Sequence, residues 1–155
     1  MKKAIMAVLL CLVLVMCCFG SADKQLTEAE VTSKVIGTWK MDYDAIADAY
    51  LHSQGIYESD SMYYYYQYAC ASEIWKMMSC TIVFSDDSCQ ITTRQSNYQT
   101  TVECAYSIDV KNRKLIITNT ETGTTGECGK FNDDFTVLYF LDEDTGIMVK
   151  SEENS

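Results

Sequence analysis

The chain has 155 residues, enough for one domain with a single substantial core, and its 12 basic and 22 acidic side chains give a net charge of −10. That balance excludes general electrostatic binding to nucleic acid and disfavours docking on anionic lipid head groups, since both need clustered Lys and Arg. Hydrophobic residues make up 48 % of the chain, a share raised by its apolar start.

Lys2 and Lys3 precede an apolar run over residues 4–19 and then Gly20-Ser21-Ala22, so residues 1–22 read as a secretory signal peptide. The run is a little short for a membrane span. Two exits are open. Cleavage after Ala22 would release a soluble protein, whereas Leu14-Val15-Met16-Cys17, or the same run moved on to Cys18, resembles a loose bacterial lipoprotein box whose cysteine is lipidated. Either exit places the protein outside the cytoplasm, secreted or at the periplasm or cell surface. Membrane contact is expected only through a lipid anchor at Cys17 or Cys18. Loss of residues 1–22 removes two lysines and no acid, taking the net charge from −10 to −12.

Residues 23–34 are polar and read as a tether or a short helix. Residues 35–151 then form one domain. Val35 to Asp42 alternate β-branched and aromatic residues, which predicts a first strand. A helical insertion over 44–78 follows: one helix at Ala45–Gln54, ended by Gly55, and a second at Ser61–Met78, capped by Ser59 or Asp60. From Cys80 the hydrophobic period switches to two. Strands are predicted at 81–84, 89–95, 98–108, 114–119, 126–131, 135–141 and 147–151, separated by short polar turns. Proline is absent, so no strand is demoted by a missing donor.

The strand registers constrain one another. A two-residue loop at Ser96-Asn97 pairs Gln95 with Tyr98, Thr93 with Thr100, Ile91 with Val102 and Cys89 with Cys104. Arg94, Gln99, Thr92, Thr101, Gln90 and Glu103 then share the opposite, polar face. A one-residue slip would destroy that separation. Carried outward, the same parity adds Cys80, Ile82 and Phe84 on one side and Tyr106, Ile108, Leu115 and Ile117 on the other. A meander with one continuous apolar face must pack on a second layer or close on itself, and eight strands close well. The expected fold is mainly β: an eight-stranded antiparallel up-and-down barrel with a two-helix insertion after the first strand.

Gly37-Thr38-Trp39-Lys40 on the first strand of such a meander resembles the lipocalins and the wider calycin group, most closely the lipocalin-like domains of secreted bacterial proteins. The fatty-acid-binding proteins also place two helices after a Gly-Thr-Trp strand, but they have more than the eight strands counted here. The likeness spans residues 35–151 in order of elements, and in motif it rests on Gly37, Thr38 and Trp39. It implies structural roles for Gly37 and Trp39, with Trp39 plugging the closed end beneath a basic side chain of the last strand. Lys150 is the only basic residue there, a lysine where the family has an arginine. The resemblance also implies a non-catalytic binding protein for a small, mainly apolar ligand held in the barrel or under the helical lid. Met41, Ile82, Phe84, Ile91, Val102, Tyr106 and Ile117 are the candidate wall residues. Neither a cofactor nor a metal is implied.

Five cysteines lie beyond the signal. An oxidising compartment favours disulfides, and the opposed positions of Cys89 and Cys104 make them the expected bridge; Cys70 with Cys80 is a second possibility. The alternative is that all five are small buried hydrophobes. No Cys-x-x-Cys pair suggests structural zinc. His52, the single histidine, falls on a predicted helix without a nucleophile motif and reads as a surface residue. Asp142 to Gly146 has a faint calcium-loop look, but Ile147 stands where such loops need glycine, so an acidic hairpin turn is expected. The run Tyr63–Tyr66, with Tyr57, Tyr68 and Trp75, points all round its helix. It reads as a lid on the barrel, and alternatively as an aromatic surface for an apolar ligand, a sugar ring or a protein partner. On that alternative the protein is a secreted or surface interaction module, of inhibitor or adhesion type, with a solid barrel core.

Overall fold

A computed structural model describes residues 26–141 and 146–151, the Trp75 side chain excepted. Its eight strands are β1 (Gly37–Met41), β2 (Met78–Phe84), β3 (Ser88–Gln95), β4 (Tyr98–Asp109), β5 (Lys114–Asn119), β6 (Thr125–Phe131), β7 (Val137–Phe140) and β8 (Ile147–Lys150). They pair antiparallel in chain order and close into a barrel where β8 meets β1, with Trp39 opposite Lys150 and Met41 opposite Met148. Three helices accompany the barrel: α1 (Glu28–Val35) before β1, then α2 (Tyr43–Ser53) and α3 (Tyr63–Met77) between β1 and β2. The expected barrel with its two-helix insertion is therefore the fold.

The β3–β4 hairpin has the register that separates its apolar and polar faces, with Ile91 opposite Val102 and Cys89 opposite Cys104. Burial is not uniform along it. Cys89 and Cys104 are buried and Ile91 and Val102 half-buried, whereas Thr93, Thr100 and Tyr98 are exposed. The reason lies in strand length. β5 ends at Asn119, opposite Cys104, so among the described residues the outer half of β4 has β3 as its only sheet neighbour. Thr120 caps that step by donating to the Glu103 carbonyl at 3.0 Å.

One end of the barrel is plugged. Residues 28–35, all but Val35 in the stretch read as a tether or a short helix, form α1, begun by a reciprocal capping box between Thr27 and Glu30. Val31 and Val35, one turn apart on the helix, are fully buried and join the barrel core, which explains why this polar segment is ordered. The helix also shortens β1, which begins at Gly37 rather than Val35. Two side chains from the barrel bond to the last carbonyls of α1. Trp39 Nε1 donates to Val35 O at 2.8 Å, and Lys150 Nζ donates to Lys34 O at 3.0 Å. Gly37 permits this tie: its φ is +128°, and a Cβ there would meet Lys150 Cε at 2.7 Å. Lys150 thus passes over Gly37 to reach α1, which accounts for a basic residue near Trp39 without any stacking on the indole. Below the plug the interior is filled. Trp39 packs edge-on against Phe84 (6.4 Å) and Phe131 (5.6 Å), and Ile82, Leu115, Leu138 and Met148 are fully buried around them.

The other end is the mouth. β1 ends and β2 begins there, so the helices joining them attach at this end, where Ile46 enters the core cluster and Ile74 packs against it. Asp42 caps α2 by accepting from Ala45 N at 3.0 Å, and Gly55 follows its end with φ +75°. Asp60 does not cap α3; it accepts from Tyr57 N at 2.8 Å and tightens the connecting loop, so α3 starts later than expected, at Tyr63. No helix among the described residues is long and apolar enough to cross a membrane.

Candidate functional site

At the mouth is a cavity of about 280 Å³ bordered by Met41, Met78, Cys80, Phe140, Leu141 and Met148, with Thr93, Arg94 and Gln95 along its polar rim. Parity explains the apolar side: Met78 and Cys80 continue inward from Ile82 on β2, and Met41 and Met148 are directly paired. Ser79 and Arg94 are opposed across β2 and β3, and Tyr43 of α2 shares their polar corner through a hydrogen bond with Ser79. Burial pushes the Tyr43 hydroxyl up, against the opposing pull of Arg94 and of that bond.

The candidate wall residues divide. Met41 borders the cavity. Ile82, Phe84 and Ile117 face inward as their parity requires but lie in the filled part of the core, so they support the cavity rather than line it. Ile91 and Val102 are partly buried against that core. Tyr106 packs edge-on to Phe84 at 4.8 Å, and its hydroxyl donates to Ser85 O at 2.7 Å, at the plugged end. The difference is one of depth: alternation tells inside from outside, whereas height along the barrel decides which inward side chains meet open space. A signal for the missed residues was present. An insertion that leaves and re-enters the sheet places its two flanking residues, Met41 and Met78, at the same end.

The Cys89–Cys104 bridge is not formed. The two residues oppose each other in register, but both are thiols, as are Cys70, Cys80 and Cys128. Cys89 and Cys104 are only 3 % and 5 % exposed, and their sulfurs fill the core as small apolar groups. Burial, reinforced by neighbouring Cys104 and Cys128, pushes the Cys89 thiol up to about 12; burial alone pushes Cys80 to about 11.

The tyrosine run is shared between inside and outside. Tyr63 is buried, and its hydroxyl donates to Asp48 Oδ1 at 2.5 Å, where Gln67 Nε2 also donates at 2.6 Å, so one carboxylate joins α2 to α3. That bond to Asp48, then burial, holds the Tyr63 hydroxyl above its ordinary range. Tyr64, Tyr65 and Tyr68 are exposed at 71 %, 65 % and 76 %. His52 stacks on Tyr57 at 5.4 Å and on Tyr63 at 6.1 Å, and its Nε2 lies 3.2 Å from Glu58 Oε1, a packing role on the lid. Among the described residues no group of three or more His, Cys, Asp or Glu is placed to hold a metal ion. The expected signal peptide, Cys17, Cys18 and the expected acidic turn at 142–145 fall outside the described residues.

No protein-family model matches this sequence, and no curated protein or solved structure does so either.

Proposed function

We propose that the protein is an exported, lipocalin-like, non-catalytic binding protein that takes a small, mainly apolar molecule at the barrel mouth, under the α2–α3 lid. The observation that carries this reading is the mouth cavity, apolar on the side of Met41, Met78, Phe140 and Met148, above a core of fully buried side chains. Sites of this kind join an apolar wall to a few polar groups, here Ser79, Thr93 and Arg94. Export is supported by the basic and apolar start of the sequence, with release after Ala22 or lipidation at Cys17 or Cys18 as the two routes.

Native mass spectrometry of the protein purified from its own host tests the reading. A retained small molecule, lost on unfolding, is the expected result; a clean apo mass from freshly prepared protein counts against it. The intact mass of the same sample reports the cleavage site.

A second reading is favoured by the exposed aromatic side chains of α3. Tyr64, Tyr65 and Tyr68, with Tyr57 and Met62 nearby in sequence, offer the residue types that anchor protein interfaces, which suits an interaction module of inhibitor or adhesion type. A clean apo mass, together with recovery of a defined complex that is lost in a Tyr64→Ser, Tyr68→Ser variant, would favour this second reading.

A further inference from the structure

A second apolar space adjoins the mouth. Between α2 and α3 runs a groove of about 550 Å³, floored by Ile46 and Ile74 and walled by Ala49, Tyr50 and Met77. Its lining recurs every three or four residues on both helices (46, 49, 50 and 53; 70, 73, 74 and 77), so it is a furrow running along the pair. Met78 borders both the groove and the mouth cavity. Ile46 belongs to the same buried cluster as Met41 and Met148, and Ile74 packs against it, so apolar lining continues from one space to the other.

We infer that the mouth cavity and the α2–α3 groove are two halves of one site for an elongated, uncharged alkyl chain of the fatty-alcohol class, which passes over Met78. The inference rests on the mouth reading above and extends it. Size argues for the extension: at about 280 Å³ the mouth falls short of the range of roughly 300–1,000 Å³ usual for ligand sites, and the groove supplies the remainder. Side-chain chemistry argues in the same direction. Met77 and Met78 are 58 % and 44 % exposed, and unbranched thioethers reshape easily around a flexible chain. Charge argues against an acid. The one charged residue lining the groove is Glu73, whose carboxylate is held by Lys76 at 2.6 Å, and the whole chain is strongly acidic. Arg94, the cation on the mouth rim, is already engaged within the protein, in part with Tyr43.

Calorimetric titration of the full-length protein with 1-hexanol, 1-octanol, 1-decanol and 1-dodecanol tests the inference. Burial of each added methylene is expected to raise affinity about fourfold, and the rise should persist to dodecanol. Filling the groove by Ala49→Trp, or by the more exposed Ser53→Trp, is expected to remove the gain beyond the shortest alcohols. Hexanol, short enough for the mouth alone, should still bind, and a circular dichroism spectrum matching the parent reports an intact fold. An affinity plateau at octanol, or dodecanol binding undiminished in Ser53→Trp, overturns the two-part site while leaving the mouth reading in place. Tighter binding of dodecanoate than of dodecanol overturns the uncharged head. Absence of binding by every alcohol removes the mouth reading and the inference together.

Discussion

Cys89 sits opposite Cys104, with Cys128 near enough to both for any thiolate in the trio to disfavour another. In the unfolded chain such a thiol ionises around 9.0; in the fold Cys89 keeps its proton to about 12. A group whose pKa is raised by folding adds stability that is complete below the unfolded value and is lost as pH climbs through the folded one. Stability should therefore decline between about pH 9 and pH 12, and a Cys89→Val variant should decline less steeply than the parent in urea titrations across that window. At pH 8, iodoacetamide should modify Cys89 and Cys80 far more slowly in the native protein than in urea, read by peptide mass spectrometry. Equal labelling rates in the two states would contradict the packing of these sulfurs. The opposition of Cys89 and Cys104 was legible in the alternation of neighbouring residues. Their state was not, because it depends on how tightly the interior closes around two sulfur atoms.

At the level of elements, α1 shows how a polar segment acquires structure from what it covers. Its own sequence offers a capping box and two buried valines, a small nucleus for a helix of eight residues. The barrel supplies the rest through Trp39 and Lys150, which satisfy the Val35 and Lys34 carbonyls. Gly37 is the point on which the Lys150 bond depends. Gly37→Ala should lower unfolding free energy by about 2 kcal/mol, from a left-handed backbone and displacement of Lys150 together. Gly126→Ala, with an ordinary φ and open space around the new methyl, should change it little. Urea denaturation of the two variants decides the matter, and equal effects would deny Gly37 its special role. The sequence signalled Gly-Thr-Trp as a structural motif, yet the partner that makes Gly37 necessary comes from the far end of the chain. The α3 boundary escaped notice for a related reason: Asp60 looks like a cap, but its carboxylate bonds to Tyr57 in the loop.

For the whole molecule, each strand pairs with the next in sequence, β1 with β2 across the helical insertion, and the β1–β8 seam joins the two ends of the barrel. With no proline in the sequence, refolding should lack the phase of roughly tens to hundreds of seconds that X-Pro isomerisation imposes. Double-jump refolding should give amplitudes independent of the time spent unfolded. A slow phase that grows with that time would point to another barrier, such as mispaired strands at the seam. Sequence by itself determined the meander and its inward face: a period of two, Gly and polar turns, and a β3–β4 register with only one polar–apolar solution fix which side of each strand faces in, because neighbouring residues alone set that choice. Only the tertiary structure decided where the interior is solid and where it opens. Open space is what remains after side chains from all eight strands and the helices have been packed, and no single stretch of residues contains that sum.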